Sequence, residues 1–176
     1  HFYQGIRKSA VASLFTFIST LHSLCDSPAW VPGDTNGVQL DPNVEKIAQV
    51  IMPAIMETWE AEDDRTAAIE ICQSFASCLN KCGPGLISPQ WIEPTCQLTM
   101  QILEKKAPSQ IDPEADEDEE TEDSSEYESV LISAAMDLVG AMAYVLCDSF
   151  MTPMRQFLPL LCKYYSPGRS VTDRAT

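Results

Sequence analysis

The sequence predicts an all-α fold, a solenoid of about three to four stacked antiparallel helix pairs. Three observations carry that expectation. Six segments repeat apolar residues at helical spacing, and none alternates as a strand does. Most connections are short, which makes successive helices antiparallel neighbours. An Arg followed three places later by Ala recurs at the start of alternate segments, at Arg7…Ala10 and Arg65…Ala68, and begins again at Arg174.

The first segment runs from about Ile6 to Cys25, with Ala10, Leu14, Phe17, Leu21 and Leu24 on its apolar face. The second opens at Asp41-Pro42, a capping residue followed by proline in the first turn. Its face is Val44, Ile47, Ile51, Ala54, Ile55 and Trp59, and Pro53 inside it should bend it. Asp64 is a good N-cap for the third, which presents Ala68, Ile71, Cys72, Phe75 and Leu79 and stops at Gly83-Pro84-Gly85. The fourth follows Ser88-Pro89 and shows Ile92, Cys96, Thr99 and Leu103. The fifth starts around Ser125 to Glu128 and offers Leu131, Ala134, Ala135, Leu138, Met142 and Val145. The sixth covers about Thr152 to Tyr165, with Met154, Phe157, Leu158, Leu161 and Tyr165. Ser166-Pro167-Gly168 ends it, and Asp173-Arg174-Ala175 reads as the opening of a seventh.

Two connections are long, 26–40 and 107–124, within what is otherwise a single unit over 1–176. The fifth segment fits the repeat at Leu131…Ala134 without the Arg, so the intervals are 58, 66 and 43 residues. Taking about 15 to 20 residues out of each long connection brings the first two to a period of about 43 to 46, that of HEAT or armadillo arrays. One such pair cannot bury its apolar faces alone, and stacking the pairs does.

Charge is concentrated. The chain carries a formal net charge of −15, and 11 of its 26 acidic residues lie between Asp112 and Glu128 with no Lys or Arg among them. Without that run the body is nearly neutral. Like charge at this density repels itself into a disordered, solvated loop, which attracts Lys- and Arg-rich segments and speeds encounter with them. The plainer reading is a solubilising spacer. Nucleic acid and anionic membrane surfaces are excluded as partners by repulsion. No apolar run is read as reaching the roughly 18 residues that span a bilayer, and no signal peptide is read at the start. A calcium site is disfavoured because the run has no Gly for the loop turn.

The cysteines are Cys25, Cys72, Cys78, Cys82, Cys96, Cys147 and Cys162, an odd number in helical, apolar contexts. They read as reduced packing residues of a cytosolic or nuclear protein. Cys78 and Cys82 share a helix face, but a zinc site needs about four ligands and the histidines are only His1 and His22. No metal or cofactor is expected. No nucleophile elbow, phosphate loop or His–carboxylate pair is present, so no enzyme is expected either.

The stretches Gly5-Ile6-Arg7-Lys8-Ser9-Ala10, Asp64-Arg65-Thr66-Ala67-Ala68 and Phe157-Leu158-Pro159-Leu160-Leu161 before Asp173-Arg174-Ala175, with an acidic insertion inside one repeat, resemble the importin-β (karyopherin-β) superfamily of nuclear transport receptors. The likeness is greatest to the branch that imports ribosomal proteins and histones. It covers the whole chain as three to four HEAT repeats of a longer solenoid, and departs from the pattern at Leu131, where the repeat Arg is missing. The resemblance implies a monomeric receptor that shuttles between cytoplasm and nucleus. It implies basic cargo held on the concave side, released when Ran carrying GTP binds, and passage of the pore by contact with Phe-Gly nucleoporins. The competing reading is a structural HEAT scaffold, such as a phosphatase or chromosome-organising subunit; it shares the fold, and the mid-repeat acidic insertion favours transport.

Two sets of partner-binding residues follow. One is the acidic run: Asp112, Glu114, Asp116, Glu117, Asp118, Glu119, Glu120, Glu122, Asp123, Glu126 and Glu128. The other is a groove face, on the assumption that the odd-numbered helices form the inner layer. Glu70, Gln73 and Ser77 on the third helix, and Ser133, Asp137, Gly140 and Tyr144 on the fifth, sit opposite the core stripes. Carboxylates beside a tyrosine there suit a lysine side chain, and an ordinary wet helix face is the alternative. Ser124 and Ser125 are candidate phosphorylation sites. Trp30, Trp59 and Trp91 read first as packing residues.

Overall fold

The computed structural model describes residues 3–25, 30–31, 40–111 and 122–164. It contains α1 (Gln4–Leu24), α2 (Pro42–Glu60), α3 (Arg65–Cys82), α4 (Pro89–Leu103), α5 (Glu122–Leu146) and α6 (Met151–Tyr164). Short 3₁₀ turns stand at Pro84–Leu86, Pro108–Gln110 and Cys147–Phe150. No strand occurs among the described residues. The fold is a HEAT-repeat α-solenoid, with three helix pairs among the described residues.

Local signals set most boundaries. Asp41 caps α2 by accepting from the Asn43 N–H at 2.8 Å, with Pro42 in the first turn. Asp64 caps α3 through the Ala67 N–H, also at 2.8 Å. Gly83, at φ 74°, ends α3 in a conformation that L residues rarely adopt. Pro53 lies inside α2, exposed, and the helix continues through it to Glu60.

The helices form two layers. α3 packs closely along α1 on one side and α5 on the other, whereas α2 touches α4, and α4 touches α6, only lightly. Ala67, Ala68, Ala76, Ala134, Ala135 and Ala141 are buried in α3 and α5, and small side chains let backbones approach. A stack whose one layer is more closely spaced curves toward that layer, so α1, α3 and α5 form the concave side. They run parallel: Arg7 meets Glu62 and Asp63 just before α3, and further along, Phe15 stacks on Phe75 at 5.1 Å.

An arginine ladder joins the repeats. Arg7 donates to Glu62 at 2.7 Å and to Asp63 at 2.8 Å, in the turn between α2 and α3. One repeat on, Arg65 donates from Nε to the Ser109 carbonyl at 3.1 Å, in the turn after α4. Both steps therefore tie the start of one inner helix to the turn of the next pair.

The core stripes of α3 and α5 are buried as the periodicity predicts, at Ala68, Ile71, Cys72, Phe75 and Leu79, and at Leu131, Ala134, Ala135, Leu138, Met142 and Val145. Elsewhere the structure corrects the expectation. In α1 the buried residues are Val11, Phe15 and Ile18, while Ala10, Phe17 and Leu24 are exposed and Leu14 and Leu21 half-buried. α1 carries two apolar stripes; the one facing α3 is fully covered, and the other is covered only in part, at Leu14 and Leu21. In α2 Val44, Ile55 and Trp59 are buried as expected, but the buried line also runs through Ala48, Met52 and Met56, leaving Ile47 and Ile51 at its margin and Ala54 exposed. In α6 Leu158 is exposed. Phe157 is buried as expected, Tyr164 is buried as well, and the Tyr164 hydroxyl donates to the Leu103 carbonyl at 2.7 Å.

Two further corrections concern the fifth helix. It begins at Glu122, about a turn earlier than expected and deeper inside the acidic run. Carboxylates in a first turn face the positive end of the helix dipole, which favours a start there. The 107–124 connection is also ordered at its beginning, where Ala107 and Ser109 are buried. Finally, the helical run Glu126–Tyr164 does hold an 18-residue window apolar enough to cross a membrane, with mean hydropathy 2.0, contrary to the sequence reading. Of that window 56% is buried against the other helices, as expected for the central helix of a stack. The proposed seventh helix, Tyr165 and the Ser166-Pro167-Gly168 turn lie outside the described residues.

Candidate partner-binding surface

The open face of the inner layer is built from one strip on each helix. On α3 the strip is Thr66, Glu70, Gln73 and Ser77; on α5 it is Glu126, Val130, Ser133, Asp137, Gly140 and Tyr144, at steps of three and four. Two depressions flank α3. The first, of about 400 Å³, lies between α1 and α3 and is lined by Thr16, Thr20, Ser23, Gln73, Ser77 and Lys81 among others. The second, of about 370 Å³, lies between the early turns of α3 and α5, with Lys8 of α1 at its edge.

The structure brings Glu70, Gln73 and Ser77 together on the first depression. Glu70 is already engaged, accepting from the Ser74 hydroxyl at 2.8 Å and lying 3.8 Å from the Lys8 ammonium. Asp137 is exposed and Ser133 half-buried on α5, and neither lines either depression. Tyr144 stands 53% exposed, but its ring meets Trp30 edge-on at 5.4 Å, so it is also a packing residue. Trp30 in turn covers Gly83, where a Cβ would come within 2.6 Å of the indole. Trp59 is buried and Trp91 half-buried, in packing roles.

The acidic set divides. Asp112, Glu114, Asp116, Glu117, Asp118, Glu119 and Glu120 lie outside the described residues. Glu122 and Asp123 belong to the first turn of α5, as do the backbones of Ser124 and Ser125. Glu128 is half-buried, accepting from Gln110 Nε2 at 2.9 Å with Lys105 at 3.6 Å, so it braces the turn after α4 instead of facing a partner. Glu126 is exposed on the rim of the second depression, with no ion pair among the described residues. Sequence reasoning missed the apolar part of that depression: Ile69, Tyr127 and Val130. Val130 lies one step of three before Ser133 on the same strip, and extending the strip would have found it.

The cysteines are thiols throughout. Cys78 and Cys82 do share a face, their sulfurs 3.8 Å apart, and Cys78 donates to the Phe15 carbonyl at 3.6 Å. That shared hydrogen bond, and burial behind it, push the Cys82 thiol up. Burial pushes Cys72 up to about 12, and burial with the Glu93 charge does the same to Cys96. Cys72, Cys82 and Cys96 are therefore packing residues without thiolate character.

A scan of protein families finds no model that matches the chain. Comparison with curated proteins does find relatives. The Schizosaccharomyces pombe protein named "Probable importin subunit beta-4" is 33% identical over 173 residues, 94% of this chain. The mouse protein named "Importin-4" is 28% identical over 164 residues, 92% of this chain. The chain is similar over nearly its whole length to part of these importins, as a fragment of an importin-β family protein would be. It spans 16% and 14% of the lengths of these two importins, so the likeness concerns a few repeats of a long array. Both matches cover nearly the whole chain, and an importin solenoid accounts for the layered pairs and the arginine ladder together.

Proposed function

We propose that the chain serves in a nuclear import receptor, where its concave face and acidic run hold basic protein cargo such as histone or ribosomal-protein segments. Ran carrying GTP displaces that cargo in the whole protein, and Phe-Gly nucleoporins carry the receptor through the pore. The receptor then cycles between cytoplasm and nucleus and works by binding alone, with no catalytic step and no cofactor.

The observation that supports this reading is where the negative charge stands. An importin repeat array with a nearly neutral body carries 11 carboxylates in one run, and that run leads into the start of an inner helix at Glu122. The open face itself is mostly hydroxyl and amide, and its Glu70 is engaged by Lys8. The attraction for a cationic partner therefore comes from the run and from Glu126, while the face supplies short-range contacts.

The test is a pull-down by the full-length protein of a basic histone tail, with and without Ran locked in its GTP state. Retention of the tail and its release by Ran are expected. A tail that is not retained, or is retained regardless of Ran, would sink the reading.

A further inference from the structure

We propose that the depression between the early turns of α3 and α5 takes a bulky apolar side chain, leucine or phenylalanine in class, carried inside a basic segment of the partner. The proposal rests on the basic-partner reading above and deepens it: recognition requires an apolar anchor beside the positive charge, not positive charge alone.

The depression has a volume of about 370 Å³, at the small end for ligand pockets and suited to a side chain. Its apolar wall comes from Ile69 on α3 and Tyr127 and Val130 on α5. Tyr127 is 51% and Val130 41% exposed, on a face made mostly of Ser, Thr, Gln, Glu and Asp, with Gly140 and Tyr144 further along α5. Single exposed apolar residues are commonplace. Here three from two helices converge on one concavity, so a side chain seated there would lose water on several sides at once.

The rim selects the flanking charge. Glu126 lines the pocket with a carboxylate that has no ion-pair partner among the described residues. Lys8, the one cation on the rim among the described residues, lies 3.8 Å from the Glu70 carboxylate. The unbalanced charge at the mouth is thus negative. An acidic peptide or an anionic lipid headgroup would be repelled, and Lys or Arg on either side of the anchor would be matched.

The experiment uses the full-length protein and two Lys/Arg-rich synthetic peptides that differ only in a central Leu or Ser. Binding is read by fluorescence anisotropy at about 0.15 M and 0.5 M salt. The Leu peptide is expected to bind about tenfold tighter or more, and to keep that ratio at both salts, because burial of an apolar side chain is not screened. Tyr127→Ala with Val130→Ser should erase the ratio, and Val50→Ser, an exposed apolar position on the outer layer, should leave it unchanged. Equal affinity of the two peptides would overturn the inference while leaving the basic-partner reading intact. A Leu advantage that survives the double substitution would also overturn it. Binding of neither peptide would overturn both. A photo-reactive leucine at the central position should label the stretch around Tyr127 to Val130, which keeps the test decisive if the double variant fails to fold; labelling confined to other repeats counts against the site.

Discussion

The Arg7 guanidinium donates to the Glu62 carboxylate at 2.7 Å, and the Glu62 side chain is only 1% exposed. Glu62 also accepts from the Asp64 N–H at 3.1 Å, immediately before α3. The pair therefore joins two repeats and fixes the turn from which the second inner helix starts. Arg7 is 39% exposed, so solvent screens part of the pair. Arg7→Ala leaves a buried carboxylate without its cation and should cost about 1 to 3 kcal/mol. Denaturant melts of parent, Arg7→Ala, Glu62→Gln and the double variant measure the coupling. The double variant is expected to lose less than the sum of the singles, and strict additivity would refute the pairing.

Gly83 makes a second point of strain-free closure. Its φ of 74° and ψ of −165° belong to a region reserved for glycine, and the Trp30 indole lies where a Cβ would stand. Gly83→Ala should destabilise by about 1 to 3 kcal/mol and dislodge Trp30 from Tyr144. A red-shifted tryptophan emission in the native baseline would report the displacement. An unchanged spectrum with unchanged stability would contradict this account.

Burial of Cys72 and Cys96 makes stability depend on alkaline pH. Both thiols titrate near 12 when folded, against about 8.5 in an unfolded chain. Between those values the folded state binds more protons, so stability falls as pH rises. The contribution is fully present below about pH 8.5 and lost by about 12, with a slope of about 1.4 kcal/mol per pH unit for each thiol. Urea melts from pH 8 upward should show the decline. Native alkylation near neutral pH should mark exposed Cys162 and spare Cys72 and Cys96. Labelling of Cys72 at the rate of Cys162 would disprove its burial.

How far the sequence disclosed this protein depends on how many neighbours each helix has. α3 and α5 are covered along broad stripes, so residues such as Phe75 and Leu138 read correctly from spacing alone. α1 has two apolar stripes of similar strength, and periodicity cannot choose between Phe15 and Phe17; the stack on Phe75 does. The Tyr164–Leu103 hydrogen bond and the Trp30 contact with Gly83 join residues far apart in sequence and leave no local trace. The candidate site was half legible. Glu70, Gln73 and Ser77 follow from helix geometry. Nothing in the local sequence separates Glu128 from the other carboxylates of the run, because Gln110 and Lys105 reach it from the turn after α4. Ile69 and Val130 belong neither to the predicted core stripes nor to the polar face, so periodicity gives them no role.

The acidic run should strengthen binding to basic cargo chiefly by long-range attraction. Its 11 carboxylates have no Lys or Arg between them, and the rest of the chain is nearly neutral. Exposed charges act over a Debye length of about 8 Å at physiological salt, so the benefit fades as salt rises. Steering changes encounter more than residence, which places the effect in the association rate. Replacing Asp116 to Glu120 with Ser and Gly should therefore slow association of the full-length protein with a histone or ribosomal-protein tail at low salt. Parent and variant should converge at about 0.5 M salt, where the Debye length has shrunk to a few ångströms. Dissociation rates should change little, because a short-range contact such as the Tyr127–Val130 pocket is untouched by the substitution. Surface-binding kinetics across a salt series make the comparison, with far-UV circular dichroism to verify equal helix content. Equal association rates at low salt would reduce the run to a spacer. Tighter binding by the variant would mean that the run competes with cargo for the concave face, the reverse of attraction.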